Sequence, residues 1–344
     1  MTVPPRRPMT VPPAGRVVQG IAGEDFVRLA DSFRRELLAH CYRMVGSVHD
    51  AEDLVQETYL RAWRSHQEFE GRSSLRTWLY RIATNACLTA LERSGRRPLP
   101  SGLGGPSDDP QAPIPPLTEV AWLQPIPDSL LDEASDDPAA IVASRHSVRL
   151  AFVAALQHLP PRQRAVLLLR DVLALRAAEV AEMLDTTSVA VNSTLQRARA
   201  QLAQVNPAED ETAEPSDAEH RELLDKYVAA FENADMAALA KLLRADAAIE
   251  MPPIAVWFSG RDVLIRFFES RVFSVPRGWR MLRTRANGQP AVATYLRDDD
   301  GVFRAHGVQL LALAAGGIQR ITAFRDVSLF AKFGLPLVHD GTDS

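Results

Sequence analysis

The spacing of apolar residues changes character along the chain. Over residues 24–97, and again over about 138–204, apolar positions recur at intervals of three and four, which predicts amphipathic helices. From residue 218 onward, two further helical stretches precede segments such as AVATYLR and RAHGVQLLALA. These segments alternate or run apolar between Gly, Asn and Asp turns, which is typical of strands. The pattern therefore predicts a multidomain chain with two all-α domains followed by an α+β domain.

Stretches without this periodicity separate the domains. Residues 1–23 are rich in proline and predict a disordered arm. Residues 101–144 hold eight prolines and eight acids but no Lys or Arg. We therefore expect an acidic, proline-rich linker at 99–137 and a second, shorter acidic linker at 206–217. The expected domains are residues 24–98, 138–205 and 218–340.

Charge is unevenly distributed over a chain whose net charge is −4. Residues 72–97 carry six arginines and one acid, and residues 145–202 carry eight arginines and four acids. The sign of a local patch matters more to a polyanion than the total charge does. Two basic segments in a mildly acidic chain therefore indicate binding of nucleic acid.

Cysteine content and hydropathy narrow the class further. Cys41 and Cys87 lie in apolar helical patterns and are expected to be buried thiols, with a single disulfide as the alternative. The N-terminus lacks the apolar core of a signal peptide, and no apolar run approaches the roughly 18 residues of a membrane span. We expect a cytoplasmic protein that needs no membrane, metal or cofactor.

The helix predicted within residues 71–97 has a basic and aromatic side opposite its apolar face. That side offers arginines for phosphates, an aromatic ring for stacking and an amide for a base edge, which together suit unpaired nucleic acid. The candidate residues are Arg72, Arg76, Tyr80, Arg81 and Asn85. The alternative is a solvated helix face that is merely rich in arginine.

The segment SVHDAEDLVQETYLRAWRS, residues 47–65, predicts a helix with an acidic first turn. Leu54, Leu60 and Trp63 have the spacing of core positions. Acids in the first turn suit the helix dipole, so N-terminal capping alone explains them. The functional alternative is a docking surface for a partner helix.

Residues 155–202 contain the pattern of a helix-turn-helix, with the turn at 185–187. The inward positions are Val180, Ala181, Leu184, Val191, Leu195 and Ala198. The outward positions of the second helix, which would enter a major groove, are Ser188, Asn192, Ser193, Gln196, Arg197 and Arg199. Simple helix packing without DNA binding is the alternative.

Two long stretches carry a family resemblance. LLAHCYRMVGSVHDAEDLVQETYLRAW followed by FEGRSSLRTWLYRIATNACLTALE closely resembles region 2 of bacterial sigma-70-family factors of the extracytoplasmic-function class. The helix-turn-helix that follows resembles region 4. The resemblance implies docking on the clamp helices of the polymerase β′ subunit through Asp50, Glu52, Asp53, Leu54, Gln56, Glu57, Leu60 and Trp63. It also implies that residues 72–97 capture the −10 promoter element, and that region 4 binds the −35 element and the β-subunit flap.

One part of region 4 departs from the family pattern. Members of the class often carry Lys or Arg where this chain has Asn192 and Thr194. Asn prefers adenine, and the loss of two cations weakens the phosphate contribution to binding. The −35 preference is therefore expected to differ, or the module to bind weakly on its own.

The third domain also resembles a known fold. HRELLDKYVAAFENADMAALAKLLRADAAIEMPP is similar to the opening of the SnoaL-like, cone-shaped α+β fold, and ANGQPAVATYLR and LFAKFGLP are similar to SnoaL-like extensions of extracytoplasmic-function factors. The fold usually encloses a pocket. The candidate pocket residues are Trp257, Asp262, Asn287, His306 and Gln309. They are expected to be satisfied interior polar groups, with a small-ligand sensor and then acid–base catalysis as alternatives.

The linker carries a further motif. VAWLQPIPD, residues 120–128, is similar to the Trp-Leu-Pro-Glu-Pro motif of such factors, with Trp122, Leu123 and Pro125 as candidate regulatory residues and Gln124 as a departure. In the related factors the extension touches the sigma domains and the linker and changes their activity. One hypothesis is that Trp122 docks on the C-terminal domain, and another that the linker acids lie against the basic segments and oppose DNA.

These observations predict a promoter-specificity subunit and not an enzyme. Its expected partners are core RNA polymerase and promoter DNA, with an unidentified small ligand of the C-terminal domain as a further candidate. One alternative is a SnoaL-type isomerase or cyclase, or a ligand-sensing domain, fused to a DNA-binding regulator. The other is a helix-turn-helix repressor that works without polymerase.

Overall fold

The described part of the first module consists of four helices. The computed structural model describes residues 23–66, 73–114, 119–131, 147–205, 217–273 and 278–340. Residues 1–22 of the predicted arm and most of the second predicted linker lie outside these ranges. The helices are α1 (Gly23–Asp31), α2 (Arg34–Val45), α3 (Val48–Ser65) and α4 (Leu75–Ser94).

Local residue chemistry fixes the ends of these helices. Gly46 ends α2 in the left-handed region at φ 71°, and its N–H donates to the carbonyl of Tyr42. Ser47 begins α3 because its hydroxyl accepts from the N–H of Asp50 at 3.1 Å. Ser74 caps α4 in the same way, accepting from the N–H of Thr77 at 3.1 Å.

The second module contains the predicted helix-turn-helix. Its helices are α5 (Leu150–Leu156), α6 (Pro161–Leu167), which continues through a wider π turn at Leu168–Val172, α7 (Ala177–Met183) and α8 (Ser188–Val205). Asp185 takes a left-handed conformation, φ 50°, in the turn between α7 and α8. The hydroxyl of Thr187 accepts from the N–H of Ala190 at 3.2 Å and caps α8. The two helices and the turn lie where the sequence pattern predicted them.

In its described residues, the C-terminal domain is a mixed sheet with four helices. The helices are α9 (Asp217–Glu232), α10 (Met236–Leu242), α11 (Arg261–Phe267), followed by a π turn at Phe268–Val272, and α12 (Leu329–Lys332). The strands are β1 (Leu243–Met251), β2 (Ile254–Ser259), β3 (Trp279–Ala286), β4 (Gln289–Arg297), β5 (Phe303–Ala314), β6 (Gly317–Phe324) and β7 (Val338–His339). The order is β2-β1-β6-β5-β4-β3, with β7 paired to β5. Only the β1–β6 pairing is parallel among the described strands.

The two faces of this sheet belong to different cores. Val292 and Leu311 pack with Tyr227 and Phe231 of α9 in a core internal to the domain. On the other face, residues of β4 and β5 such as Tyr295 join one continuous apolar cluster with both helical modules. The fold class of two helical modules followed by an α+β domain is confirmed. The packing of all three parts on a shared core comes from the structure alone.

Candidate nucleic-acid interface and domain junction

Helix α3 exposes a mixed apolar and polar side. Asp53 and Gln56 are exposed, and so are Leu60 and Trp63, whose exposed fractions are 52% and 45%. Leu54 is half-buried against the core. The interpretation of Leu60 and Trp63 as core positions is therefore wrong. The side of α3 that faces the core is formed by Val48, Ala51, Val55, Thr58 and Ala62.

Three acids of α3 already have partners within the chain. Asp50 accepts from the guanidinium of Arg97 at 2.5 Å. Glu52 pairs with the ammonium of Lys332, which lies on α12 of the C-terminal domain. Glu57 pairs with Arg61 one turn further along the helix, at 2.7 Å. The acidic start of α3 therefore contacts the segment that follows α4 and the C-terminal domain.

Tyr80 does not lie on the exposed side of α4. It is 1% exposed, and its hydroxyl donates to the carboxylate of Glu36 at 3.1 Å. Arg76 binds the same carboxylate at 2.6 Å, and its guanidinium lies 5.1 Å from the centre of the Tyr80 ring. Burial, and next the charge of Glu36, raise the pKa of Tyr80. The prediction that Tyr80 is available for stacking on a base is wrong for this conformation, because α2 covers its ring.

A buried histidine extends this polar cluster. The Nε2 atom of His40 lies 2.9 Å from the hydroxyl of Thr84, and the His40 ring meets the Tyr80 ring edge-on at 5.2 Å. Burial, and next the charge of Arg43, lower the pKa of His40 to about 3. His40 is therefore neutral at physiological pH and acts as a hydrogen-bonding core residue.

The remaining −10 candidates differ in accessibility. Arg81 is exposed, and its guanidinium lies 4.0 Å from the carboxylate of Asp185 in the helix-turn-helix. Asn85 is half-buried. Arg72 lies outside the described residues. The exposed part of the basic side thus faces the second module.

Helix α8 presents the outer face that its sequence predicted. Val191, Leu195 and Ala198 are buried, as expected. All six predicted outward residues are exposed: Ser188, Asn192, Ser193, Gln196, Arg197 and Arg199. Arg199 donates two hydrogen bonds to Asp171, at 2.7 and 2.9 Å, so this candidate already has an acidic partner.

The two cysteines pack together in the first module. Cys41 on α2 and Cys87 on α4 are both buried free thiols, which confirms the expectation for them. A hydrogen bond with Cys41, together with burial, raises the pKa of Cys87 well above its ordinary value. Both side chains therefore act as small apolar core groups.

Asn287 stands at a junction of all three domains. Its backbone is left-handed, φ 56°, and its side chain is fully buried. Its Nδ2 donates to the hydroxyl of Tyr42 at 2.8 Å and to the carbonyl of Val148 at 2.7 Å. Its Oδ1 accepts from the N–H of Ile126 at 3.0 Å. One amide thus joins α2, the linker and the start of the second module, so Asn287 is not a pocket residue.

Neighbouring residues strengthen this junction. The N–H of Gly288 donates to Asp128 at 2.8 Å, and Arg285 pairs with the same carboxylate at 3.2 Å. The prediction that linker acids lie against the basic segments is therefore wrong for Asp128, which is held by the C-terminal domain. Most of the other acids of the predicted linker lie outside the described residues.

The linker motif docks on the first module. Trp122 and Leu123 are buried, and the Leu123 side chain lies so close to Gly46 that a Cβ there would sit 2.7 Å from it. The Gln124 side chain accepts from the Ser47 hydroxyl at 2.7 Å, and its carbonyl accepts from Tyr42 at 2.7 Å. Gln124, the residue that departs from the family motif, thus makes these two hydrogen bonds with the first module. Whether Trp122 docks on the C-terminal domain stays a prediction.

The two helical modules also contact each other directly. Arg164 of α6 is 1% exposed and donates to the carbonyl of Met44 on α2 and to the side chain of Gln157, the latter at 2.8 Å. Burial lowers the pKa of Arg164 to about 10, so the group stays charged. Arg43 donates to the hydroxyl of Ser147 at 2.6 Å. These contacts hold the modules in a closed arrangement.

The candidate pocket residues do not come together. The indole N–H of Trp257 on β2 donates to the carbonyl of Gly104 in the linker at 2.8 Å. Asp262 is exposed on α11. Only His306 and Gln309 lie on the inner side of the sheet. Gln309 accepts from Tyr227 at 2.8 Å.

His306 is poorly suited to proton transfer near neutral pH. It meets the ring of Trp279 edge-on at 5.1 Å. Burial, and next the charge of Arg325, lower the pKa of His306 to about 4. The imidazole is therefore neutral, and no carboxylate of the described residues is hydrogen-bonded to it.

Several residues that organise the molecule carried no sequence signal. In the sequence, Glu36, Arg164 and Lys332 look like ordinary helix charges and Arg97 like one more arginine of the basic segment, because their partners lie on other elements. Only the rarity of lysine marks Lys332, since the chain has three lysines in all. Within the part of the chain described, no helix has the length and hydropathy needed to cross a membrane.

Family models match two separate parts of this chain, and relatives match most of its length. Residues 29–97 match the model of Sigma-70 region 2, and residues 149–202 match that of Sigma-70, region 4. The extracytoplasmic-function (ECF) RNA polymerase sigma factor SigG of Mycobacterium tuberculosis is 54% identical over 314 residues, which cover 91% of this chain and 84% of SigG. The ECF sigma factor SigJ of the same organism is 29% identical over 69% of this chain and 70% of its own length.

The solved structures agree at the level of the fold. The crystal structure of SigJ from Mycobacterium tuberculosis matches 90% of this chain and 99% of its own, with a TM-score of 0.57 and 23% identity. The C-terminal sheet domain falls within the matched length. The identity to SigG, the two region models and the shared fold place the chain in one family: it belongs to the ECF sigma factors of RNA polymerase, which act in transcription initiation.

Proposed function

We propose that the exposed side of α3 docks on the clamp helices of the polymerase β′ subunit. The observation that carries this proposal is the exposure of Leu60 and Trp63, three residues apart on one helix. Large apolar side chains exposed together are typical of a binding surface, and Trp is a frequent energetic centre of interfaces. Asp53 and Gln56 would supply the polar contacts beside them.

The DNA contacts are proposed for α4 and α8. Arg81 and Asn85, with Arg72, would hold the unpaired −10 strand, and Arg76 would support them through Glu36. The exposed side of α8 would read the −35 element, with Asn192 at a base edge and Arg197 on phosphate. The second module would also contact the β flap. Exposure and residue type support these roles for Arg81 and for the outer side of α8, and residue type alone supports them for Arg72 and Asn85.

We further propose that the C-terminal domain lowers activity in the free protein. Two contacts of the C-terminal domain support this sign of regulation: Lys332 pairs with Glu52, and Asn287 joins both helical modules and the linker. The two helical modules would bind two different promoter elements, −10 and −35. They would therefore have to move apart from the closed arrangement of the free protein. The dispersed pocket residues and the neutral His306 argue against catalysis in this domain.

The test is promoter-directed transcription with purified core polymerase and full-length variants. Trp63→Ala is expected to weaken core binding by about tenfold or more, as interface centres do. Arg197→Ala is expected to keep core binding, weaken binding to −35 duplex DNA and reduce its salt slope by about one. Asn287→Ala is expected to raise output.

The matched control for the junction is Asn233→Ala, which removes an exposed amide that donates to the carbonyl of Ala229 in the adjoining helix α9. Its output should equal that of the wild type. Failure of the wild type to bind core polymerase would overturn the proposal for α3. Reduced output from a folded Asn287→Ala variant would reverse the proposed sign of regulation.

A further inference from the structure

One apolar side chain stands on the otherwise polar outer side of α8. Val189, the second residue of this helix, is 79% exposed, which is the highest fraction of any large apolar residue in the described part of the chain. Among the described side chains of α8, it is also the only large apolar one that is exposed. The sequence pattern did not select it, because an apolar residue at a helix start looks like a core position.

The fold itself gains little from a valine at this place. The branched Cβ of valine restricts its rotamers in a helix, so alanine would favour the helix more. An exposed apolar side chain also contributes little burial energy to the free protein. A single exposed valine is ordinary on a protein surface, so the neighbours of Val189 decide what it can bind.

Those neighbours are hydrogen-bonding side chains on the same side of the helix. Asn192 and Ser193 lie one turn further along α8 and Gln196 lies two turns further, and all three are exposed. The start of the helix is fixed, because the hydroxyl of Thr187 caps it and the Thr187 carbonyl accepts from the N–H of Val191 at 2.9 Å. Val189 therefore projects from a rigid first turn.

This combination of groups suits the major groove. The first residues of the second helix of a helix-turn-helix meet the base edges there. Thymine presents a 5-methyl group in that groove, and apolar side chains recognise it by contact. The adenine paired with thymine presents N6 and N7, to which an asparagine amide can form two hydrogen bonds. Val189 beside Asn192 thus matches the two chemical features of A·T pairs.

A protein partner would fit this surface less well. A protein interface has an apolar centre built from several side chains, as the exposed Leu60 and Trp63 of α3 would supply. On α8 the exposed Val189 has polar neighbours one and two turns further along. The surroundings of Val189 therefore favour DNA over the β flap as its partner.

We propose that Val189 is a specificity-determining residue that packs against the 5-methyl group of a thymine in the −35 element. This inference rests on the proposed function of α8 and adds the atom that is read. Contact with a methyl group distinguishes thymine from cytosine, which lacks it, without a hydrogen bond. Val189 would thereby supply sequence preference in a helix whose cation content is reduced at Asn192 and Thr194.

The test replaces single thymines by deoxyuridine, which removes only the 5-methyl group and keeps the base pair. Holoenzyme assembled from core polymerase and the full-length chain first selects its sites from a random-sequence duplex library. Each thymine of the enriched upstream element is then replaced singly, and the dissociation constants are measured by fluorescence anisotropy. At one position the wild type is expected to bind the uracil duplex about fourfold more weakly, which is the effect of burying about one methylene group.

Val189→Ala should abolish this preference. The variant is expected to bind the thymine duplex at least about fourfold more weakly than the wild type does, and the uracil duplex with about the same affinity as the thymine duplex. Alanine favours the helix more than valine, so α8 stays folded. Arg197→Ala should weaken binding to both duplexes equally, because a phosphate contact does not sense the methyl group.

Val327→Ala is the matched control, since it truncates a valine of the C-terminal domain that is 48% exposed. It should keep the affinity and the preference of the wild type. The inference is overturned if no uracil weakens binding of the wild type, or if Val189→Ala retains the preference. Weaker core binding by Val189→Ala with an unchanged preference would assign Val189 to the polymerase instead. If the wild-type holoenzyme enriches no sequence, the proposed function of α8 fails and this inference fails with it.

Discussion

Tyr80 illustrates how a single residue can be placed on the correct helix and assigned to the wrong surroundings. Its position opposite the main apolar face of α4 predicted exposure. In the fold, Glu36 of α2 accepts its hydroxyl hydrogen bond, and the ring is buried. The spacing of apolar residues along a helix defines its apolar and polar sides. The packing of a neighbouring helix then determines which side is covered.

Replacing Tyr80 with Phe should therefore affect stability and not DNA binding. The variant leaves one carboxylate hydrogen bond of Glu36 unmade, which should lower the free energy of unfolding by about 1–2 kcal/mol. Urea unfolding measures this loss. Arg81→Ala is the comparison, since it removes an exposed cation and should weaken −10 strand binding with little loss of stability. A Tyr80→Phe variant that loses DNA binding at unchanged stability would contradict the buried role.

His40 should make the fold sensitive to acid. Its pKa is lowered from 6.5 to about 3 in the folded protein. Between those values the unfolded chain binds a proton that the folded chain does not, so stability falls as the pH drops below about 6.5. At pH 5 the expected loss from this group is about 2 kcal/mol.

Urea unfolding at pH 7 and pH 5 tests this expectation. His40→Gln should show a smaller fall in the free energy of unfolding over this interval than the wild type. His66→Gln leaves His40 in place and should retain the dependence of the wild type. Equal falls in His40→Gln and the wild type would place the proton uptake elsewhere.

At the scale of elements, α3 shows that one helix serves two surfaces. Its core side consists of small residues and one valine pair, and its exposed side carries Leu60 and Trp63. The short helix α12 reaches the first turn of α3 through Lys332 and Glu52. A polymerase surface that uses Glu52 therefore competes with the C-terminal domain of the same chain.

Lys332→Ala should strengthen binding to core polymerase. Removing the ammonium frees Glu52, and a partly exposed ion pair of this kind corresponds to an effect of about threefold. Fluorescence anisotropy with labelled full-length protein measures the affinity. The control Lys226→Ala removes a lysine that pairs with Glu222 within α9, at 2.7 Å, and should leave the affinity unchanged. Weaker binding of Lys332→Ala would show that Lys332 itself contacts polymerase.

At the scale of the whole molecule, one apolar cluster spans both helical modules, the linker and a face of the C-terminal sheet. Domains that share a core unfold together, because no part can expose its apolar surface alone without loss to its neighbours. The wild type should therefore show a single calorimetric transition.

Breaking the junction at Asn287 should split the single unfolding transition into two. Asn287→Ala removes the amide that joins Tyr42, Ile126 and Val148, and each buried group left unpaired costs about 1–3 kcal/mol. We expect the C-terminal domain and the helical modules then to unfold in two steps. Asn233→Ala should keep one step. Two transitions in the wild type would mean that the shared core does not couple the domains.

The sequence by itself determined the local structure of this protein and its family. The helix caps at Ser47 and Ser74, the helix-turn-helix and the exposed side of α8 follow from nearest neighbours and periodicity, because they depend on residues a few positions apart. The region 2 and region 4 motifs carried the assignment to the sigma factors.

Only the tertiary structure decided what covers each surface. The burial of Tyr80, the pairing of Glu52 with Lys332, the role of Asn287 and the binding of linker residues 101–112 by the C-terminal domain all join residues far apart in the chain. The proline and acid content predicted only a linker between domains, yet edge strand β2 and Arg271 of the C-terminal domain bind its main chain. Residue type and spacing record what a side chain can bind, whereas the packing of separate elements determines which partner it meets.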